Sequence, residues 1–215
     1  MMDGLVTPPM DEAEREADGF IRGLAVGVVT DNEDGDGLAR VRVRLPWHAD
    51  GETSFWARMA MPMAGADRGT YFLPEIGDEV LLGAENGDPS HFYVLGMLWN
   101  GQNAPPTTND DGKNNKRLIR SRSGHELRFD DDESKPEIEL TLEDGKHLVL
   151  DKDGIVLEDG QGNTIKIESS SGAISITAGQ QLNLKSSSIK IKADASIDIN
   201  ASGTLTLKGG TVLIN

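Results

Sequence analysis

The sequence predicts an all-β chain in two parts: an N-terminal OB-fold barrel, then a C-terminal intertwined trimeric triple-stranded β-helix (β-prism). Three observations predict it. The last residues repeat with a period of eight, as SSSIKIKA, DASIDINA, SGTLTLKG and GTVLIN. Aromatic and proline residues vanish from the distal part: nine of ten aromatics and all seven methionines precede residue 102, and neither an aromatic nor a proline follows Glu137. Before residue 102 the apolar residues alternate with polar ones in five short runs, and no run has a convincing helical period.

The elements follow in order. Residues 1–19 are polar and acidic and read as a flexible N-terminal arm; they lack a basic-plus-hydrophobic signal. Residues 20–101 read as the barrel. Its strands are expected at 20–30, 38–45, 54–61, 77–83 and 91–97, with Ala84–Pro89 as the turn between the last two. In the second, Arg40, Arg42 and Arg44 alternate with Val41, Val43 and Leu45, the period of a half-buried strand. Five short strands in about 80 residues suit a small closed barrel of the OB type. Trp47, Trp56 and Trp99 read as core or trimer contacts, and the barrel shows no aromatic-plus-basic clustering of the oligonucleotide-binding kind. Residues 102–116, rich in Pro, Asn, Asp, Thr and Gly, read as a linker.

Residues 117–215 carry apolar–polar–apolar triplets. The pairs are Leu148/Leu150, Ile155/Leu157, Ile165/Ile167, Ile174/Ile176, Leu182/Leu184, Ile189/Ile191, Ile197/Ile199 and Leu205/Leu207, preceded by the triple Ile138/Leu140/Leu142. An eight-residue unit is too short to wind a full coil of a single-chain β-helix. Three copies wrapped around one axis, each donating one short strand per layer, bury the pairs by stacking. Upstream of residue 182 the spacing becomes irregular, and turn formers such as Asp151–Gly154, Glu158–Asn163 and Ser169–Gly172 suit hairpin or corner loops. The expected trimer core is Leu182, Leu184, Ile189, Ile191, Ile197, Ile199, Leu205 and Leu207. The lack of proline suits a chain whose backbone N–H groups enter a ladder.

The net charge of −15 argues against non-specific nucleic-acid binding. No cysteine is present, so disulfide and thiol chemistry are excluded. No apolar run reaches membrane-spanning length. The chain is expected to be assembled in the cytoplasm and to leave it only within something larger. His48, His91, His125 and His147 form no His-x-His pair, and no nucleophile elbow or phosphate loop is present. The acidic run Phe129–Glu133 lacks the spacing of a calcium loop and reads as a solvated turn. No catalytic residue, cofactor or metal is expected.

Gly37-Leu-Ala-Arg-Val-Arg-Val43 followed by Leu45-Pro46-Trp47 resembles the motif that opens the barrel of VgrG and of phage baseplate assembly protein V. Phe55–Arg58, Phe72–Val80, Gly87–Pro89, Val94–Gly96 and Asn100–Gly101 resemble later segments of that family in the same order, and Ser123–Asp131 resembles its entry into the β-helix. The resemblance implies a non-enzymatic homotrimeric central spike of a contractile tail or injection apparatus, part of a phage tail or tail-like particle. Such a spike pierces the target envelope on sheath contraction and meets the target membrane transiently. It also implies a PAAR-type tip protein (Pro-Ala-Ala-Arg repeat) docked on Val212, Leu213, Ile214 and Asn215. The chain begins almost directly at the barrel, so the baseplate hub is expected to be a separate protein. The other reading is a trimeric β-helical tail protein that binds or degrades surface glycans; the aromatic-free distal part speaks against it.

Overall fold

The computed structural model describes residue 21 and residues 23–214; the N-terminal arm, Phe20 and Asn215 lie outside them. Every regular element among the described residues is a β-strand. The chain divides into two compact units, with the division between Asp110 and Asp111, inside the segment read as linker.

The first unit contains β1 (Leu24–Asp31), β2 (Arg42–Arg44), β3 (Arg58–Met59), β4 (Ala64–Gly65), β5 (Arg68–Gly69), β6 (Glu79–Glu85) and β7 (Asp88–Leu98). Five of these form one sheet in the order β2-β1-β6-β7-β3, with β3 parallel to β7 and the other neighbours antiparallel. The sheet closes on itself. Val41 and Ala57 exchange backbone hydrogen bonds of 3.0 and 2.7 Å, and Ser54 N–H donates to the Val43 carbonyl at 2.8 Å. Closure removes the open edges that a five-stranded sheet would otherwise expose.

Alternation sets the interior. Ala25 and Val29 of β1, Val41, Val43 and Leu45 around β2, Ala57, Val80 and Leu82 of β6, and Phe92 and Val94 of β7 form one buried cluster. Gly27 lies among them because a Cβ there would come within 2.9 Å of the Leu82 side chain. The five expected strands all appear, shorter than read at β2 and β3. The turn at Ala84–Pro89 is tighter than expected: Glu85 belongs to β6 and Asp88-Pro89 to β7. Only Asn86 and Gly87 turn, both at positive φ (51° and 84°), as a two-residue hairpin requires. The β4–β5 ribbon was not anticipated, because two-residue strands carry no period.

The second unit contains β8 (Lys116–Arg120), β9 (Glu126–Asp130), β10 (Glu137–Thr141), β11 (His147–Asp151), β12 (Gly154–Glu158), β13 (Thr164–Glu168) and β14 (Ala173–Thr177). Each strand has five residues and pairs antiparallel with the next, giving a seven-stranded meander in sequence order. The hairpin alternative for the irregular repeats is the one realised. Residues 116–177 find their ladder partners within their own chain, whereas none of the described residues beyond Thr177 lies in a strand. The β11–β12 link is the tightest. Gly154 sits at φ 151°, and a Cβ on it would lie 1.8 Å from the Ile167 carbonyl oxygen.

Candidate functional site

Strict register in the meander sorts side chains into faces. Positions two and four of each strand form two columns. One runs Ile119, Leu127, Leu140, Leu148, Leu157, Ile165, Ile176; the other runs Arg117, Phe129, Ile138, Leu150, Ile155, Ile167, Ile174. Arg117 alone among these is not apolar, and it is turned to Asp131 by a 2.6 Å ion pair. Strand spacing makes this face about 30 Å long. Nearly all of its side chains are substantially exposed. A continuous apolar face of that size is rare on a soluble monomer and marks an interaction surface.

The opposite face is polar and cross-braced. Arg128 Nη2 donates to Glu137 at 2.8 Å and also to Glu139, while Glu126 and Asp130 approach the same guanidinium to 3.9 Å. Lys135 Nζ donates to Glu137 at 2.8 Å. Asp130, Glu137 and Asp151 stand directly opposite one another on adjacent strands, a repulsive arrangement that these cations offset. Partial burial opposes ionisation of Glu139, yet the Arg128 hydrogen bond and charge hold its carboxyl below the usual range. The acidic turn after β9 is a structured loop: Asp132 accepts from Ser134 N–H at 2.9 Å, and no group of three or more His, Asp or Glu among the described residues is placed to hold a metal ion.

Beyond β14, all the residues expected to form the trimer core are exposed within the single chain. Their exposure repeats with the octad. The first members of the pairs, Leu182, Ile189, Ile197 and Leu205, are 51–55% exposed, and the second members, Leu184, Ile191, Ile199 and Leu207, 61–69%. The two members of each pair therefore sit in similar degrees of exposure from unit to unit. Val212 is half exposed, Leu213 and Ile214 are 85% and 87% exposed, and Asn215 lies outside the described residues.

On the barrel, Trp47 and Trp99 are 58% and 70% exposed in the single chain, which removes the core alternative for these two and leaves the trimer-contact one. A second reading is corrected. An aromatic-plus-basic cluster is also present. The Arg42 guanidinium carbon lies 4.7 Å and that of Arg40 5.8 Å from the centre of the Trp56 ring, and that of Arg58 lies 5.7 Å from Tyr93. Arg42, Arg58 and Tyr93 lie on β2, β3 and β7, and Arg40 and Trp56 on the segments just before β2 and β3, a juxtaposition the linear sequence does not display. The Asp31–Gly37 turn is more than a connection. Asp34, whose side chain is 3% exposed, accepts from Arg40 Nε and Nη2 at 2.7 Å each and from three backbone N–H groups. The Arg40 hydrogen bonds hold its carboxyl far below the usual range.

Residues 25–99 match the type VI secretion system/phage-baseplate injector OB domain family. Over 205 residues the chain is 27% identical to the actin cross-linking toxin VgrG1 of Vibrio cholerae serotype O1, covering 88% of this chain and 18% of that protein. It is 28% identical over 156 residues to the type VI secretion system spike protein VgrG3 of the same species, covering 68% of this chain and 15% of the relative. It is 35% identical over 105 residues to the spike protein VgrG2a of Pseudomonas aeruginosa, covering 45% of this chain and 12% of the relative. The chain thus spans less than a fifth of the length of these relatives. Residues 25–99 thus form an injector OB domain of the type VI secretion/phage-baseplate kind, and the similarity to VgrG spike proteins runs on from this closed barrel into the β-meander.

Proposed function

We propose that the chain is the structural central spike of a contractile injection apparatus, acting as a homotrimer without chemistry of its own. The observation that carries this reading is the two-column apolar face of β8–β14, interrupted only at Arg117, continued by octads of one pattern whose aliphatic pairs stay half exposed or more in their own chain. Three copies related by one axis bring these columns together. Residues 116–177 then supply three walls, each hydrogen-bonded within one chain. Residues 178–214 supply layers in which each strand is laddered to the other chains. Burying one Leu or Ile contributes about 1.5–3 kcal/mol, and each layer brings two from every copy.

The barrel is the end that receives a separate hub protein, and the apolar Val212, Leu213 and Ile214 dock a PAAR-type tip protein. The assembly forms in the cytoplasm and becomes part of a tail-like particle. Sheath contraction then drives the rigid shaft through the target envelope. Sedimentation equilibrium of the purified chain tests the assembly: a trimer mass is expected, and a stable, fully structured monomer would overturn it. Leu150→Asp, which places three carboxylates on the axis, is expected to abolish the trimer. Degradation of a surface glycan by the purified trimer would replace the mechanical reading with the enzymatic one.

A further inference from the structure

The outward strip over β2, β3 and β7 has chemistry that a purely mechanical barrel does not need. Arg40 is neutralised by Asp34 and Asp36. Arg42, Arg44 and Arg58 form no ion pair among the described residues, although the chain as a whole carries −15. Arg42 lies on the Trp56 ring with its Nε buried and without a hydrogen-bond acceptor. Arg58 lies beside Tyr93, whose hydroxyl donates to Glu85 at 2.7 Å. An open cleft of about 410 Å³ begins at Arg42 and Arg44. The choice of cation is also selective. All seven basic residues before Lys113 are arginines, while eight of the twelve after residue 116 are lysines. Arginine, not lysine, matches a carboxylate with a planar fork while stacking on an aromatic ring. Arginine, tryptophan and tyrosine are also the residues that dominate protein–protein binding energy.

We propose that this strip is a docking surface for an acidic segment of a partner protein, its carboxylates pairing with Arg42, Arg44 and Arg58 across Trp56. The proposal concerns the barrel alone and stands whether or not the shaft trimerises. A protein segment fits better than a nucleic acid. Asp31 and Glu52 share the cleft and Glu85 flanks Tyr93, so a continuous phosphate chain would run over carboxylates, whereas spaced acidic side chains avoid them.

Fluorescence anisotropy of the full chain with a fluorescein-labelled peptide of ten alternating Glu-Ser pairs, at low salt, tests this. Saturable binding is expected. Arg42→Gln with Arg58→Gln is expected to weaken it roughly tenfold or more. Arg44→Gln, at an exposed position without an ion pair among the described residues, is expected to weaken it several-fold. Lys190→Gln with Lys192→Gln, in the distal segment, is expected to leave it unchanged. Absence of binding, undiminished binding in both arginine variants, or tighter binding of a decathymidylate of similar charge would each overturn the proposal, the last in favour of single-stranded nucleic acid.

Discussion

Gly154 has the narrowest tolerance among the described glycines. Its φ of 151° and the carbonyl of Ile167, 1.8 Å from where a Cβ would sit, leave room only for hydrogen. Gly154→Ala is expected to cost on the order of 2–4 kcal/mol, from left-handed backbone strain and overpacking together, visible as a lowered melting temperature. Lys166→Gln, one strand away on the polar face, loses only an exposed pair with Glu168 and is expected to shift stability by less than about 1 kcal/mol. Asp34 makes a different prediction. Its carboxyl is depressed in the folded chain, so its stabilising effect is complete above the ordinary carboxylate value of about 3.9 and is lost as pH falls toward the folded value. Melting temperature is expected to be flat near neutrality and to fall below about pH 4. Asp34→Asn should lower it at neutral pH and flatten that acid slope.

At the scale of elements, alternation made most of the barrel legible. The alternation in Arg40-Val-Arg-Val-Arg-Leu45 puts Val41, Val43 and Leu45 inside, and all three are buried. What was not legible depended on pairing across strands. Trp56 meets Arg40 and Arg42 from sixteen and fourteen residues away, and no local period encodes that meeting. The meander has a similar explanation. A strand with one dry face reads the same whether its neighbour belongs to its own chain or to another. The links decide it: two to six residues separate consecutive strands between β8 and β14, enough to turn back at once. Beyond Thr177 the units repeat with small residues such as Ala193, Ala201 and Gly203 between them and no comparable loop. Ile197→Asp is therefore expected to speed amide exchange most in residues 178–214, while β9 to β13 keep slower exchange from ladders made in one chain. Equal acceleration in both segments would argue against that division.

At the scale of the whole molecule, the two units solve the edge problem differently. The barrel closes through the Val41–Ala57 bridge and hides its backbone from solvent without help. The distal unit leaves β14 as an unclosed strand and an apolar face uncovered. A chain so divided is expected to lose structure in two steps when diluted with denaturant, the barrel transition independent of protein concentration and the distal one dependent on it. Circular dichroism at two concentrations tenfold apart would separate them.

The sameness of the octads has one more consequence. Because Ile189, Ile197 and Leu205 recur every eight residues at near-equal exposure, copy number acts as a ruler in the proposed trimer. Duplicating residues 189–196 should extend reach by one rung, about 4.7 Å, without retuning anything on either side. In the proposed spike, shaft length would then be set by counting units rather than by redesign.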